Sequence, residues 1–368
     1  MKKIVCFIIC FLFLCPIVFA QESDTYISVY QQSGAEDLEE TLDEEIREMI
    51  EELEIDLEDY NSFLKLDYSS LLNLLKSIFQ KSILGPISIF TVSIGVILCL
   101  SVMVSFWNVK SDLTSVYQYI SFLIIASVVI IPLVNAFESC VGVIKSLSAF
   151  MVSFIPIFCG VLISTGAFST SALYSGLMLL FSQGVNYIAA FGITPIITIY
   201  LCLGFSSAIS ENEGVYSIAL GLKTIVNWVM VFISTLFTGV LSIQNIIGKA
   251  ADSLTLKTTR FFVGSFVPVV GNALSEALST VTASFSVLRS TLCGWCMVVI
   301  ALFILPFIIE LFCWRIMLSG LSSVSKMFSQ NSLAKLFEVC GVSVGFLIGI
   351  FLIVSIMYIL SLVIIQIG

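Results

Sequence analysis

Long apolar segments separated by short polar interruptions occupy most of this chain. Eight segments, each about 18–26 residues long, approach or exceed the roughly 20 residues that a helix needs to cross a bilayer. They lie near residues 86–107, 115–137, 148–168, 171–191, 193–210, 224–245, 293–314 and 341–366. The pattern predicts an all-α, polytopic helical membrane protein, with about six spans in 84–245 and two in 293–368.

The segment 246–292 interrupts this pattern because it is too polar to span and too apolar for an ordinary loop. Pro268, Gly271, Asn272 and Glu276 fall within nine positions of FFVGSFVPVVGNALSEALSTV, residues 261–281. Amphipathic helical pieces flank this turn, which predicts a broken or re-entrant hairpin with Pro268 and Gly271 as its hinge. A pair of helices lying on the membrane surface is the alternative. The candidate pore- or partner-facing residues are Asp252, Lys257, Arg260, Asn272, Glu276, Ser279, Thr282 and Arg289.

Three glycines recur at every fourth position near the C-terminus. Gly341, Gly345 and Gly349 form a small-residue stripe along one helix face, which lets another helix approach closely. The stripe therefore predicts helix packing, either within this chain or against a partner subunit.

Residues 21–83 have a different character, because acidic side chains dominate the first forty of them. Between residues 36 and 60, Leu38, Leu42, Ile46, Met49, Leu53 and Leu57 recur every three or four positions, as on one face of a helix. The sequence leaves two interpretations open, a solvated acidic spacer or a docking helix. The following stretch YSSLLNLLKSIFQK, residues 68–81, is typical of a helix in the headgroup layer.

Composition supports the membrane assignment. The chain is 58% hydrophobic and only 11% charged, with a mean hydropathy of +1.09, which a single water-soluble core does not accommodate. The net charge of −9 comes from residues 21–60, and it gives no indication of nucleic-acid binding.

The N-terminus resembles a secretory signal. Lys2 and Lys3 precede an apolar stretch, and a small-residue pattern ends at Ala20. We predict cleavage before Gln21, with a retained membrane anchor as the alternative, and an extracytoplasmic location for residues 21–70. If all eight segments crossed, the bases of 246–292 would also lie outside, against the usual cytoplasmic bias. Either one segment does not cross fully or 246–292 is partly embedded.

Candidate chemistry is sparse. The chain contains no histidine, which excludes His-dependent triads and HExxH zinc sites, and it has no P-loop pattern. Glu310 lies inside an apolar run, where two roles are open to it. It either lines a pathway or forms an interfacial ion pair near Trp314 and Arg315. Cys293 and Cys296 have redox-motif spacing, but a membrane helix is the wrong context for a thioredoxin-like site. We therefore expect no catalysis, metal or cofactor.

Residues 250–280, AADSLTLKTTRFFVGSFVPVVGNALSEALST, resemble the signature region of the stage III sporulation protein AE family. The features that carry the resemblance are Asp252 after two alanines, Arg260-Phe261, the turn Pro268–Gly271 and Glu276 in the helix that follows. The likeness extends over residues 225–368, whereas residues 21–110 resemble the family only in character.

The resemblance implies a non-enzymatic subunit of the stage III A complex of endospore-forming bacteria. It places the chain as a multi-pass protein in the mother-cell membrane around the forespore. The implied partners are the other stage III A proteins, indirectly the forespore stage II Q protein, and the bilayer itself, with a homo-oligomer also possible. The complex is thought to form a channel between the two cells. The alternative function is a self-sufficient secondary transporter.

Overall fold

A computed structural model describes residues 30–31, 33–55, 68–106, 111–188, 191–192, 194–210, 213–266 and 271–366 of the 368-residue chain. The predicted signal peptide and Pro268 lie outside these ranges. The helices are α1 (Asp37–Glu40), α2 (Glu44–Glu52), α3 (Tyr68–Phe106), α4 (Ser111–Ser164), α5 (Phe168–Ile188), α6 (Thr194–Ser210), α7 (Glu213–Phe266), α8 (Gly271–Met327) and α9 (Asn331–Gln366).

The helices confirm an all-α, polytopic membrane protein. Within the described ranges, five helical stretches are long and apolar enough to cross a bilayer. They are Ser69–Cys99, Phe122–Ser164, Gly214–Thr258, Val281–Met327 and Asn331–Gln366, and Pro195–Ser210 forms a shorter apolar helix. Large apolar side chains on α7, such as Trp228 at 74% and Ile225 at 63% exposure, form the kind of surface that lipid covers.

Two of the predicted apolar segments, 115–137 and 148–168, belong largely to one continuous helix rather than to two. Helix α4 runs for 54 residues, about 80 Å at 1.5 Å per residue. Glu138 and Lys145 interrupt its hydropathy but not its backbone hydrogen bonds, and both are exposed. A charged side chain on a helix surface does not end the helix, so hydropathy alone gave two segments.

The helices on either side of the predicted hinge also extend into segment 246–292. Residues 246–266 form the end of α7 and residues 271–292 the beginning of α8, so both flanks of the predicted hinge are helical. Gly271 is the first residue of α8.

The acidic segment docks onto the rest of the chain. Leu38, Leu42, Ile46, Met49 and Leu53 are each at most 8% exposed, and α2 contacts both α3 and α8. The chain bends between α1 and α2, where Asp43 is extended, and Glu54 has a φ of 53° just beyond α2. The predicted single helix is therefore two short helices with a common buried face, and the docking interpretation describes it.

The core centres on α8 and α9, which form the most extensive helix pair. Aromatic side chains join this pair to α4. The Phe150 ring centroid of α4 lies 5.8 Å from that of Trp295 and 6.1 Å from that of Phe303. Within the α8–α9 pair, the ring centroids of Phe307 and Phe351 lie 5.2 Å apart. Such tilted ring pairs add to the burial of apolar area.

Candidate functional site

The turn between α4 and α5 creates a helix N-terminus without a cap of its own. Gly166 has a φ of +85°. Its N–H donates a hydrogen bond to the Ile163 carbonyl at 2.8 Å, and the Ala167 N–H donates one to the Leu162 carbonyl at 3.0 Å. This is the glycine-dependent pattern that ends many helices. Helix α5 begins at Phe168, and Ala167 before it has no side-chain oxygen with which to cap the first N–H groups.

Asp252 of α7 supplies the missing cap. One carboxylate oxygen accepts a hydrogen bond from the Ser169 N–H at 2.6 Å, and the other accepts one from the Thr170 N–H at 3.0 Å. Asp252 is only 6% exposed. Because the N-terminus of a helix carries a partial positive charge, a carboxylate there satisfies two donors and interacts favourably with the helix dipole.

Neighbouring positions of α7 fit the same turn. Gly248, Asp252 and Leu256 are spaced four residues apart and so share one helix face. A Cβ on Gly248 would lie 2.8 Å from the Thr170 Cα, and a Cβ on Gly166 would lie 2.8 Å from Cδ2 of Leu256. Gly248 therefore lets the start of α5 approach α7 closely enough for Asp252 to reach it.

The C-terminus of α9 is capped by side chains that donate hydrogen bonds to its last carbonyls. Nδ2 of Asn245 on α7 donates to the Ile364 carbonyl at 2.6 Å, and the Arg289 guanidinium on α8 donates to the Ile365 carbonyl. The last carbonyls of a helix lack partners within the helix and carry a partial negative charge. An arginine at this position satisfies one of them with a favourable charge.

These contacts form one structural unit, which we call the capping junction: Ser169, Thr170, Asn245, Gly248, Asp252, Arg289 and the carbonyls of Ile364 and Ile365. Through it α7 is tied to the beginning of α5 and the end of α9, and α8 is tied to α9. Each cap contributes on the order of 1 kcal/mol, so the junction fixes the relative register of these helices.

The structure places the sequence-predicted candidates in different surroundings. Asp252 and Arg289 lie in the capping junction, Lys257 is exposed on α7 and Thr282 is half-buried on α8. Arg260, Asn272, Glu276 and Ser279 belong to helical backbone, and their side chains lie outside the described part of the structure. Sequence reasoning missed Asn245 and Gly248. The four-residue spacing of Gly248, Asp252 and Leu256 was the available signal for the latter.

The glycine stripe packs within the chain at two of its three positions. The Arg315 guanidinium on α8 donates to the Gly341 carbonyl, and a Cβ on Gly345 would lie 3.1 Å from the Arg315 Nη1. A Cβ on Gly349 would meet nothing within 4 Å. Gly341 and Gly345 thus make room for an arginine side chain of the same chain.

Two other candidates also have defined positions. Cys293, Trp295 and Cys296 are fully buried in α8, away from the water that a thioredoxin-like site contacts. Glu310 is half-buried and lines a cavity, while nearby Arg315 binds the α9 backbone. Glu310 therefore does not form the predicted ion pair near Arg315, and its carboxylate lines a cavity instead.

Comparison with known proteins relates this architecture to one family. Residues 46–368 match the model of the stage III sporulation protein AE family. The chain is similar to stage III sporulation protein AE of Bacillus subtilis (strain 168), with 25% identity over 181 residues, which cover 48% of this chain and 45% of that protein. The match thus spans less than half of the relative's length. No solved structure matches. Because the family model covers most of its length, the chain belongs to the stage III sporulation protein AE family.

Proposed function

We propose that this chain is a non-enzymatic membrane subunit on which other stage III A proteins assemble during endospore formation. In this proposal it resides in the mother-cell membrane around the forespore, with residues 21–83 outside the cytoplasm. It contributes to a channel that links the two cells, and the forespore stage II Q protein is an indirect partner. Membership of the family supports the role in sporulation.

The capping junction is the observation that carries the assembly role. Asp252 and Arg289, two of the candidate charged residues, bind helix ends inside the chain. They hold α5, α7, α8 and α9 in register rather than facing a substrate. A chain that uses a buried aspartate and a half-buried arginine to fix helix positions is suited to act as a rigid platform. The absence of histidine from the sequence narrows the available catalytic chemistry.

The polar stripe of α8 is the proposed contact with other subunits. Asn272, Glu276, Ser279 and Thr282 are spaced three or four residues apart in the helix that begins at Gly271. A carboxylate facing lipid would cost several kcal/mol, so Glu276 requires water or a protein partner. We place the partner surface on this stripe, with exposed Lys257 of α7 as a further candidate.

Sporulation of the organism that encodes the chain tests this proposal. Glu276→Leu should accumulate in the membrane at the wild-type level and lose sporulation, whereas Glu276→Gln, which keeps size and hydrogen bonding, should lose less. Pro268→Ala should also impair sporulation, because without proline the two flanking helices can join into one. Wild-type sporulation by both Glu276→Leu and Pro268→Ala would contradict the proposed stripe and hinge.

A further inference from the structure

A cavity of about 580 Å³ lies beneath the docked acidic helix α2. Residues of helices α2, α3, α4 and α8 line it, and its size is within the range of sites for small ligands. Neither the capping junction nor the polar stripe of α8 contributes to its lining. It is therefore a separate site.

The cavity combines charges of both signs with an apolar wall. Asp43 just before α2, Glu45 of α2 and Glu310 of α8 provide carboxylates, and Lys81 of α3 provides an ammonium group. Phe303 and Phe307 belong to the apolar part of the lining. Within the described residues, the half-buried Glu310 has no basic side chain at ion-pair distance, which leaves its carboxylate available to a cationic group of a ligand.

Two prolines add backbone acceptors to the same cavity. Pro86 in α3 and Pro306 in α8 have no N–H, so the carbonyls four residues earlier, those of Ser82 and Leu302, lose their usual helix donors. All four residues line the cavity. Carbonyls in this state attract a ligand that donates hydrogen bonds.

The surroundings of the cavity define a boundary between water and lipid. Glu48, Glu51 and Glu52 on α2 are exposed, and such carboxylates require water. On the adjacent part of α3, Leu84 is 67% and Ile87 is 43% exposed, as expected for a surface against lipid. A molecule that enters here meets both environments.

We propose that this cavity binds the headgroup of a zwitterionic aminophospholipid, such as phosphatidylethanolamine. The primary ammonium group lies against Glu310 and the freed carbonyls of Ser82 and Leu302. The phosphate lies toward Lys81, and the glycerol end leads into the bilayer along the exposed apolar surface of α3. This arrangement uses the charges of both signs, whereas a simple cation would leave Lys81 without a role.

The full-length protein in nanodiscs provides the test. Phosphatidylethanolamine should raise the thermal unfolding midpoint relative to phosphatidylcholine with the same acyl chains, because the quaternary choline ammonium cannot donate hydrogen bonds. Native mass spectrometry should show retained phosphatidylethanolamine. Glu310→Gln should weaken that retention by about tenfold, which corresponds to about 1.4 kcal/mol, because the ammonium group loses its charged acceptor.

Matched variants separate lipid binding from folding. Lys81→Gln removes the partner of the phosphate and should also weaken the retention of phosphatidylethanolamine. Lys76→Gln on α3 and Glu51→Gln on α2, which lie outside the cavity, should keep the wild-type retention. Equal midpoints of the wild-type protein in the two lipids, or wild-type retention of phosphatidylethanolamine by either Glu310→Gln or Lys81→Gln, would overturn the proposal. Spermidine, which has amines but no phosphate, should not reproduce the stabilisation. If it does, the site binds a bare cation and the proposal is wrong.

Discussion

Asp252 lies 83 residues along the chain from the N–H of Ser169 that it binds. The sequence identified the aspartate as a candidate because of its motif, but nothing in the motif names its partner. The partner depends on the packing of α7 against α5, which Gly248 permits. It depends also on Ala167, which leaves the N-terminus of α5 without a cap. A local sequence pattern does not contain these distant contacts.

Removal of the Asp252 carboxylate should destabilise the protein. Asp252→Ala leaves the Ser169 and Thr170 N–H groups without their acceptor at a buried position, which costs about 1–3 kcal/mol. Asp252→Asn keeps one acceptor oxygen and should lose less. Thermal unfolding of the purified protein in detergent measures the difference. Lys257→Ala, on an exposed position of the same helix, is the control, and an equal effect of Lys257→Ala and Asp252→Ala would contradict the capping role.

The glycine stripe offers a second comparison between residues of one helix. Gly345→Leu should lower the amount of folded protein, because its side chain would occupy the space of the Arg315 guanidinium and displace it from the Gly341 carbonyl. Gly349→Leu should be tolerated, since a Cβ at Gly349 meets no atom within 4 Å. Membrane abundance of the two variants is the measurement. Equal accumulation would show that the stripe does not pack as described.

At the scale of elements, the periodicity of the acidic segment predicted its buried face. Leu38, Leu42, Ile46, Met49 and Leu53 are all buried, because helical spacing alone brings them to one side. The surface that receives them lies on α3 and α8, and the sequence does not indicate it. Conversely, hydropathy divided α4 at Glu138 and Lys145, because it registers charge and not backbone continuity.

The docking of α2 depends on a small apolar face. Ile46→Ala should cost about 2 kcal/mol, the lower end of the range for buried isoleucine, and should release α2 before the rest of the molecule unfolds. Hydrogen exchange of residues 44–52 should accelerate in this variant, while α9 stays protected. Glu48→Ala, on the exposed face of α2, should leave exchange unchanged. An unchanged rate for Ile46→Ala would mean that the contact does not hold α2 in place.

For the molecule as a whole, the side of the membrane on which α2 lies determines the orientation of every other helix. Because α2 packs on α3 and α8, its exposed carboxylates place the neighbouring parts of these helices near water. The positive charges of the loops do not give a consistent orientation, so the sequence predicted the membrane class but left the number and direction of the crossings open.

Labelling of an engineered cysteine tests the proposed orientation. Glu51 is exposed on α2, and Glu51→Cys should react with a membrane-impermeant maleimide added outside intact vegetative cells that express the chain in their cell membrane. The wild-type protein, whose cysteines lie mainly in apolar helices, controls for background labelling. Protection of the new cysteine until the cells are lysed would place the acidic segment in the cytoplasm.

The central claim is that the chain works as an assembly subunit and not as a self-sufficient transporter. Affinity purification of the tagged, full-length chain from sporulating cells, after mild solubilisation and quantitative mass spectrometry, tests it most directly. We predict that the other stage III A proteins co-purify with the wild-type chain and are depleted with Glu276→Leu at equal abundance of the tagged protein. Recovery of the wild-type chain without any of these proteins would contradict the account.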